Sequence, residues 1–288
     1  MPSDATVPSV SVSVSVSVPA PVANAGGPVP HAVVTGSSSG IGRAIAESLL
    51  ATGWRVTGLD VAPPAIAHPA FAHLPADLAD GEAIARAAAA LLEAPAHQTP
   101  ALNGPARHAS AHAPNPTPAP AVSGVPDALV HAAGVLRVGP LGQLDHAGGE
   151  LMWRLHVDAA TRLADALVPA MAARGRGRVV FIGSRVAQGM PGRGQYAATK
   201  AALIALARSW AAEVAGQGVT VNVVSPAATA TGMLADPARA GSAPRLPPIG
   251  RLIEPAEIAA LTGYLLSPAA AAITGQDIAI CGGSSLAR

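Results

Sequence analysis

Thr35-Gly36-Ser37-Ser38-Ser39-Gly40-Ile41-Gly42 is the stretch on which the fold turns. It stands between a short Val-rich apolar run, 31–35, and a segment, 41–51, in which Ile41, Ile45 and Leu49 recur at helical spacing. Glycines allow a tight turn and let backbone N–H groups approach a ligand closely. A strand, such a turn and a helix, in that order, suit a dinucleotide pyrophosphate, because the free N–H groups and the helix dipole both favour an anion. Gly36, Ser38, Ser39, Gly40, Ile41 and Gly42 are therefore candidate cofactor-contacting residues.

The same rhythm continues on either side. Strands are expected at 55–60, 73–77, 128–131, 178–183, 219–224 and 277–281, and helices at 82–93, 150–174, 196–215 and 255–266. Short, continuously apolar strands separated by helices of ten or more residues imply a parallel sheet covered on both faces. The fold class is α/β, a single doubly wound parallel-sheet Rossmann domain over 29–288. Residues 1–28 alternate Ser and Val and then turn to Pro, Ala and Gly, which reads as a disordered low-complexity tail. A Pro/Ala-rich stretch at about 95–125 admits neither helix nor central strand and reads as a surface insertion. His108 and His112 within it read as incidental side chains of a solvated loop, and no metal site is expected.

Ligands of such sheets sit at the carboxyl ends of the strands, so the chemistry should follow them. The second strand ends in Asp60, whose carboxylate can accept hydrogen bonds from an adenosine ribose and repel a 2′-phosphate. No cation stands among Ser37–Ser39 or at Val61 to hold that phosphate, so NAD(H) is expected over NADP(H). Asp77, with Leu78 beside it, is a candidate for the adenine amino group; a helix N-cap or a solvated loop carboxylate is an equally good reading of Asp77.

Of eighteen basic residues only one, Lys200, is lysine, and it lies four positions after Tyr196, one of two tyrosines. On a helix those positions share a face, so the ammonium stands beside the phenol. A neighbouring cation favours phenolate and brings the tyrosine pKa down from about 10 toward working pH. Tyr196 thereby becomes a usable general acid or base. Ser184, after the 178–183 strand, is placed to steady a substrate oxygen whose charge changes, although a local backbone hydrogen bond is the simpler use of a loop serine.

Together, Thr35–Gly42 (TGxxxGIG), Ser184 and Tyr196-Ala197-Ala198-Thr199-Lys200 (YxxxK) make the sequence resemble the short-chain dehydrogenase/reductase family over about residues 30–286, outside the proline-rich stretch. The resemblance implies a Rossmann fold, a nicotinamide cofactor and a homo-oligomer, tetramer or dimer. It further implies that Tyr196 exchanges the proton with substrate, Lys200 also binds the nicotinamide ribose, and Ser184 orients the carbonyl. Thr229 and Thr231 match the segment that contacts the nicotinamide carboxamide, and Asn222 matches a structural asparagine. Three places depart from the family pattern. Asn-Asn-Ala-Gly becomes His131-Ala132-Ala133-Gly134, of which His131, Ala132 and Gly134 are candidate cofactor contacts. Pro-Gly becomes Pro226-Ala227. The catalytic asparagine, which helps hold a water linking the lysine to solvent, falls on His156; a partly buried helix histidine without a role is the plainer reading.

Composition narrows the rest. A net charge of +1, with 12% of residues charged, is no footprint for nucleic acid. A lone Cys281 supports neither a disulfide framework nor a cysteine zinc site. The uncharged run at 258–276 is broken by Gly263, Ser267, Pro268 and Thr274, so no membrane span is expected and a cytoplasmic setting fits. The expected activity is hydride exchange between nicotinamide and a secondary alcohol or ketone. The segments 133–137 and 225–233 also resemble those of 2,3-dihydro-2,3-dihydroxybenzoate dehydrogenases, which makes dihydrodiol oxidation the second reading. A cofactor-binding regulator without turnover is the third, suggested by His131, His156 and Ala227. Arg137, Arg185, Arg193, Arg239 and Arg245 could meet a substrate carboxylate, and none is singled out.

Overall fold

Strands that are apolar on both faces need cover on both, and the chain supplies it with helices between successive strands. The computed structural model describes residues 29–93, 124–235 and 246–286. The tail at 1–28, nearly all of the 95–125 stretch with His108 and His112, and Arg239 and Arg245 lie outside the described residues.

The strands are β1 (His31–Thr35), β2 (Arg55–Asp60), β3 (Phe71–Pro75), β4 (Ala128–His131), β5 (Gly177–Ile182), β6 (Val219–Pro226) and β7 (Asp277–Ile280). All pair in parallel in the order β3-β2-β1-β4-β5-β6-β7. The helices are α1 (Gly40–Ala51), α2 (Gly81–Glu93), α3 (His146–Trp153), α4 (Ala159–Ala173), α5 (Gly194–Val214) and α6 (Pro255–Leu266). Alternation along each strand divides the core. Val33, Leu129, Val179 and Phe181 pack with residues of α2, α4 and α5 on one face. Ala32, Val34, Val130 and Val180 pack with residues of α1 and α6 on the other.

The chain enters at the middle of the sheet, runs outward to β3, then crosses back so that β4 adjoins β1. That reversal opens a crevice above the carboxyl ends of β1 and β4, where a doubly wound sheet holds its ligand. Gly36 turns the chain there with φ +68°, and a Cβ at this position would stand 2.8 Å from Ala133 Cα on the loop after β4. A Cβ on Gly42 would collide with the Gly36 carbonyl oxygen, so both glycines are required by the closeness of turn and helix.

Several boundaries differ from the sequence-based expectation, two of them for reasons the structure shows. The third strand starts at Phe71, two residues before the expected 73–77 segment and ending before it, because the Phe71 ring packs into the α1/α6 side of the core. The helix expected over 150–174 begins at His146, where Asp145 caps it by accepting from Gly148 N at 2.8 Å. It is also interrupted by a π turn at Arg154–Asp158 that separates α3 from α4. Among the described residues no helix is long and apolar enough to cross a membrane, and no cluster of His, Cys, Asp and Glu could hold a metal.

Candidate functional site

A cleft of about 1250 Å³ runs along the carboxyl edge of the sheet. It exceeds the roughly 300–1,000 Å³ typical of a pocket for one small ligand, and so has room for a cofactor and a substrate together. At one end it is lined by Gly36, Ser39, Gly40, Ile41, Gly42, Asp60, Asp77 and Leu78, and further along by Ala132, Gly134, Thr229 and Thr231. The N-cap residue of α1, Ser39, has extended backbone and makes no side-chain cap bond, and the first turn carries no acid. The positive end of α1 therefore meets the cleft without an internal anion, which fits a pyrophosphate. Asp60 is oriented by two backbone donors, Ser38 N and Ala62 N, each at 2.9 Å. A carboxylate offers about four lone-pair positions, so capacity is left for a ribose diol. Asp77 accepts from Ala79 N at 2.9 Å in the turn beyond β3. Ser38 backs the glycine turn instead of lining the cleft, with its hydroxyl donating to the Ala62 carbonyl.

At the other end stand Ser184, Tyr196, Lys200 and His156. Ser184 caps the turn after β5, its Oγ accepting from Val186 N at 3.2 Å. Its own O–H is left to donate toward the cleft. Tyr196 and Lys200 fall on successive turns of α5, and Lys200 Nζ lies 5.8 Å from the centre of the Tyr196 ring while donating to the Ile182 carbonyl at 2.8 Å. Lys200 is only 5% exposed, and burial lowers its pKa to about 7. The fold thus disfavours the charged form of the lysine that stands beside the phenol.

Two buried histidines frame this pair, and their neighbours determine which nitrogen carries hydrogen. His156 lies in the π turn and is fully buried. Val135 N donates to His156 Nε2 at 3.1 Å, so the ring hydrogen is on Nδ1, which donates to Thr199 Oγ1 at 2.8 Å. Thr199 in turn donates to the Tyr196 carbonyl at 2.8 Å, and the His156 ring meets the Tyr196 ring edge-on with centroids 5.6 Å apart. Behind it, Thr35 Oγ1 accepts from Ala132 N and Ala133 N, both at 3.0 Å, and so donates to His131 Nδ1. His131 Nε2 then donates to the Leu155 carbonyl in the π turn at 3.0 Å. Burial, followed by the Lys200 charge, lowers His131 to about 3 and holds His156 well below the usual histidine range. Both rings are neutral braces near pH 7.

The structure thus gathers nearly every candidate at one edge. His131 is the second exception: 1% exposed, it stands behind the cleft wall and steadies the π turn. The sequence reading passed over Thr35, Val135 and Thr199, whose hydroxyls and N–H tie the two ends of the cleft together. Thr199 carried a signal, since its place between Tyr196 and Lys200 on one helix turn brings it against whatever packs on the pair. Asn222, in β6, donates to the Ile273 carbonyl at 2.7 Å and accepts from Gln276 N at 3.1 Å, which ties the start of β7 into the sheet.

The chain is also similar to known proteins. Residues 119–285 match the family described as Enoyl-(Acyl carrier protein) reductase. The chain is 35% identical over 263 residues to the 3-oxoacyl-[acyl-carrier-protein] reductase of Escherichia coli (strain K12), covering 88% of this chain and 96% of that protein. It is 34% identical over 266 residues to the 2,3-dihydro-2,3-dihydroxybenzoate dehydrogenase of the same organism, covering 88% and 96%. A solved structure described as a short chain dehydrogenase/reductase family protein superposes with a TM-score of 0.72 at 32% identity, covering 90% of this chain and 98% of that one.

Proposed function

The chain belongs to the short-chain dehydrogenase/reductase family and is an NAD(P)-dependent oxidoreductase of alcohols and ketones; from that premise we propose that Tyr196 is its general acid and base, with NAD(H) as the preferred cofactor. The observation that carries the proposal is the Lys200 ammonium 5.8 Å from the Tyr196 ring, on a cleft wall shared with Ser184.

A bound nicotinamide dinucleotide supplies the hydride donor or acceptor. The protein's own residues do the rest. In oxidation the Tyr196 Oη, as phenolate, takes the hydroxyl proton of the alcohol; in reduction it returns that proton to the carbonyl oxygen. Lys200 favours the phenolate electrostatically. The Ser184 O–H, spared by the Val186 N–H that its oxygen accepts, points a donor at the reacting oxygen. His156 acts through Thr199 and the edge of the Tyr196 ring as a positioning residue. Both its nitrogens are engaged, so it exchanges no proton with substrate. Asp60 supports the preference for NAD(H), because a carboxylate held by Ser38 N and Ala62 N faces an added 2′-phosphate with like charge, and no cation stands among Ser37–Ser39 or at Val61.

Two substrate readings are carried forward. The first is a ketone or 3-oxoacyl compound, after the acyl-carrier-protein reductase relatives. The second is a dihydrodiol, after the dihydroxybenzoate dehydrogenase relative. The homo-oligomer and the cytoplasmic setting belong to the same proposal. The deciding experiment is Tyr196→Phe, followed by NADH absorbance with a panel of ketones, alcohols and dihydrodiols. The variant should bind NADH as the parent does and lose turnover by 10³-fold or more (on the order of 4 kcal/mol). Retained turnover rejects the role of the phenol.

A further inference from the structure

We infer that Arg185 reads a carboxylate on the substrate, which makes the natural substrate an oxo or hydroxy acid with an apolar body. The inference rests on the dehydrogenase reading of the cleft and deepens it.

Arg185 follows Ser184 directly, at the start of the turn after β5, and lines the cleft. Its Nε is buried and meets no acceptor. A buried guanidinium nitrogen without a partner is costly, and such groups are normally satisfied by protein, water or ligand. No carboxylate among the described residues serves here. Among the described residues the cleft has two, Asp60 and Asp77, and both belong to the glycine-turn end, where Ser38 N, Ala62 N and Ala79 N orient them. The substrate end instead carries Arg185, with no acid among the described lining residues there. A substrate anion is the partner this end of the cleft would take, since no acid among the described lining residues meets the guanidinium.

Position limits the choice. Ser184 and Arg185 are neighbours, so the anion sits within one arginine side chain of the carbonyl that Ser184 holds. Pyrophosphate belongs to the α1 end. The lining of the same cleft also includes the apolar side chains of Leu136, Val186, Met190, Met233 and Leu246. A carboxylate a few bonds from the reacting carbon, on a hydrocarbon body, satisfies both features, and the planar guanidinium fork matches its two oxygens.

The test titrates benzoate and benzamide, of one shape and differing in charge, into the wild-type enzyme–NADH complex by calorimetry. The titration is repeated with Arg185→Gln and Arg185→Lys. Wild type should bind benzoate about 10- to 100-fold more tightly than benzamide. Arg185→Gln should abolish the preference and Arg185→Lys keep part of it, with NADH affinity within about twofold of wild type in both. Equal binding of the two probes by wild type overturns the inference, as does a preference that survives Arg185→Gln. A loss of NADH affinity that parallels the loss of benzoate also overturns it, since the guanidinium would then serve the cofactor. Benzoate binding needs no hydride transfer, so the absence of turnover would sink the dehydrogenase reading alone.

Discussion

Replacing Lys200 with methionine should remove activity and make the cofactor-free protein more stable. The ammonium is 5% exposed and its pKa falls from 10.5 to about 7 on burial. At about 1.4 kcal/mol per decade, carrying the charge into the fold costs on the order of 5 kcal/mol. Methionine relieves that cost but leaves the Ile182 carbonyl without its 2.8 Å donor, which takes back about 1–3 kcal/mol. The net gain is about 2–4 kcal/mol, or about 5–10 °C in Tm for a domain of this size. The pH dependence carries a sign. Below pH 7 the lysine is protonated in folded and unfolded chains alike, and the full cost stands. Between pH 7 and 10 the unfolded chain keeps a proton that the fold has shed, so wild-type stability from this residue rises with pH and the advantage of Lys200→Met shrinks. Above about pH 10.5 the advantage is gone. Urea or thermal unfolding of both proteins at pH 6 and pH 10, without cofactor, measures this. A Lys200→Met variant no more stable than wild type at pH 6, or equally ahead at both pH values, refutes the reasoning.

Three other substitutions probe the His156 brace and the cofactor end. His156→Ala should lose about 2–4 kcal/mol of stability and lower kcat, because Val135 N–H and Thr199 Oγ1 lose their buried partner; His156→Asn, which offers one acceptor and one donor, should recover most of both. Since the wild-type ring stays neutral, its pH–rate profile should show no break near 6.5 that His156→Ala removes; such a break would make the ring a proton carrier. Asp60→Ala should shift the ratio of kcat/KM for NAD over NADP toward NADP by about tenfold or more, and a wild type that already uses both cofactors equally would contradict the role given to that carboxylate.

The parts of this molecule that were readable in advance are those written locally. The glycine turn, the acid ending β2 and the Tyr196/Lys200 spacing each state their geometry within a few residues, because helix and strand periodicity place them without help from the rest of the fold. That the sheet is parallel and covered on both faces followed from continuous apolarity and helical spacers, while the order of its strands is visible only in the fold. What escaped depends on partners distant in the chain. Phe71 begins β3 because a core pocket accepts its ring, and no local signal at 71–77 states this. The π turn exists where His131 and His156 hold carbonyl and side chain from behind, through contacts to Thr35 and Thr199 that only tertiary structure supplies. Arg185 is one arginine among several in the sequence, and only the fold shows its Nε buried without an acceptor beside Ser184.

The π turn at Arg154–Asp158 also constrains how this chain can change. It amounts to one surplus residue in an otherwise helical path, and one residue corresponds to about 100° of rotation. Met152 before the turn and Leu163 and Leu167 after it are all fully buried, each in the phase its own half requires. Deleting any residue between Met152 and Ala159 would restore an unbroken helix and swing one half out of phase with the other, exposing either the cleft-side or the core-side leucines and methionines. Point replacements at the turn are open to selection; a one-codon deletion there is closed to it.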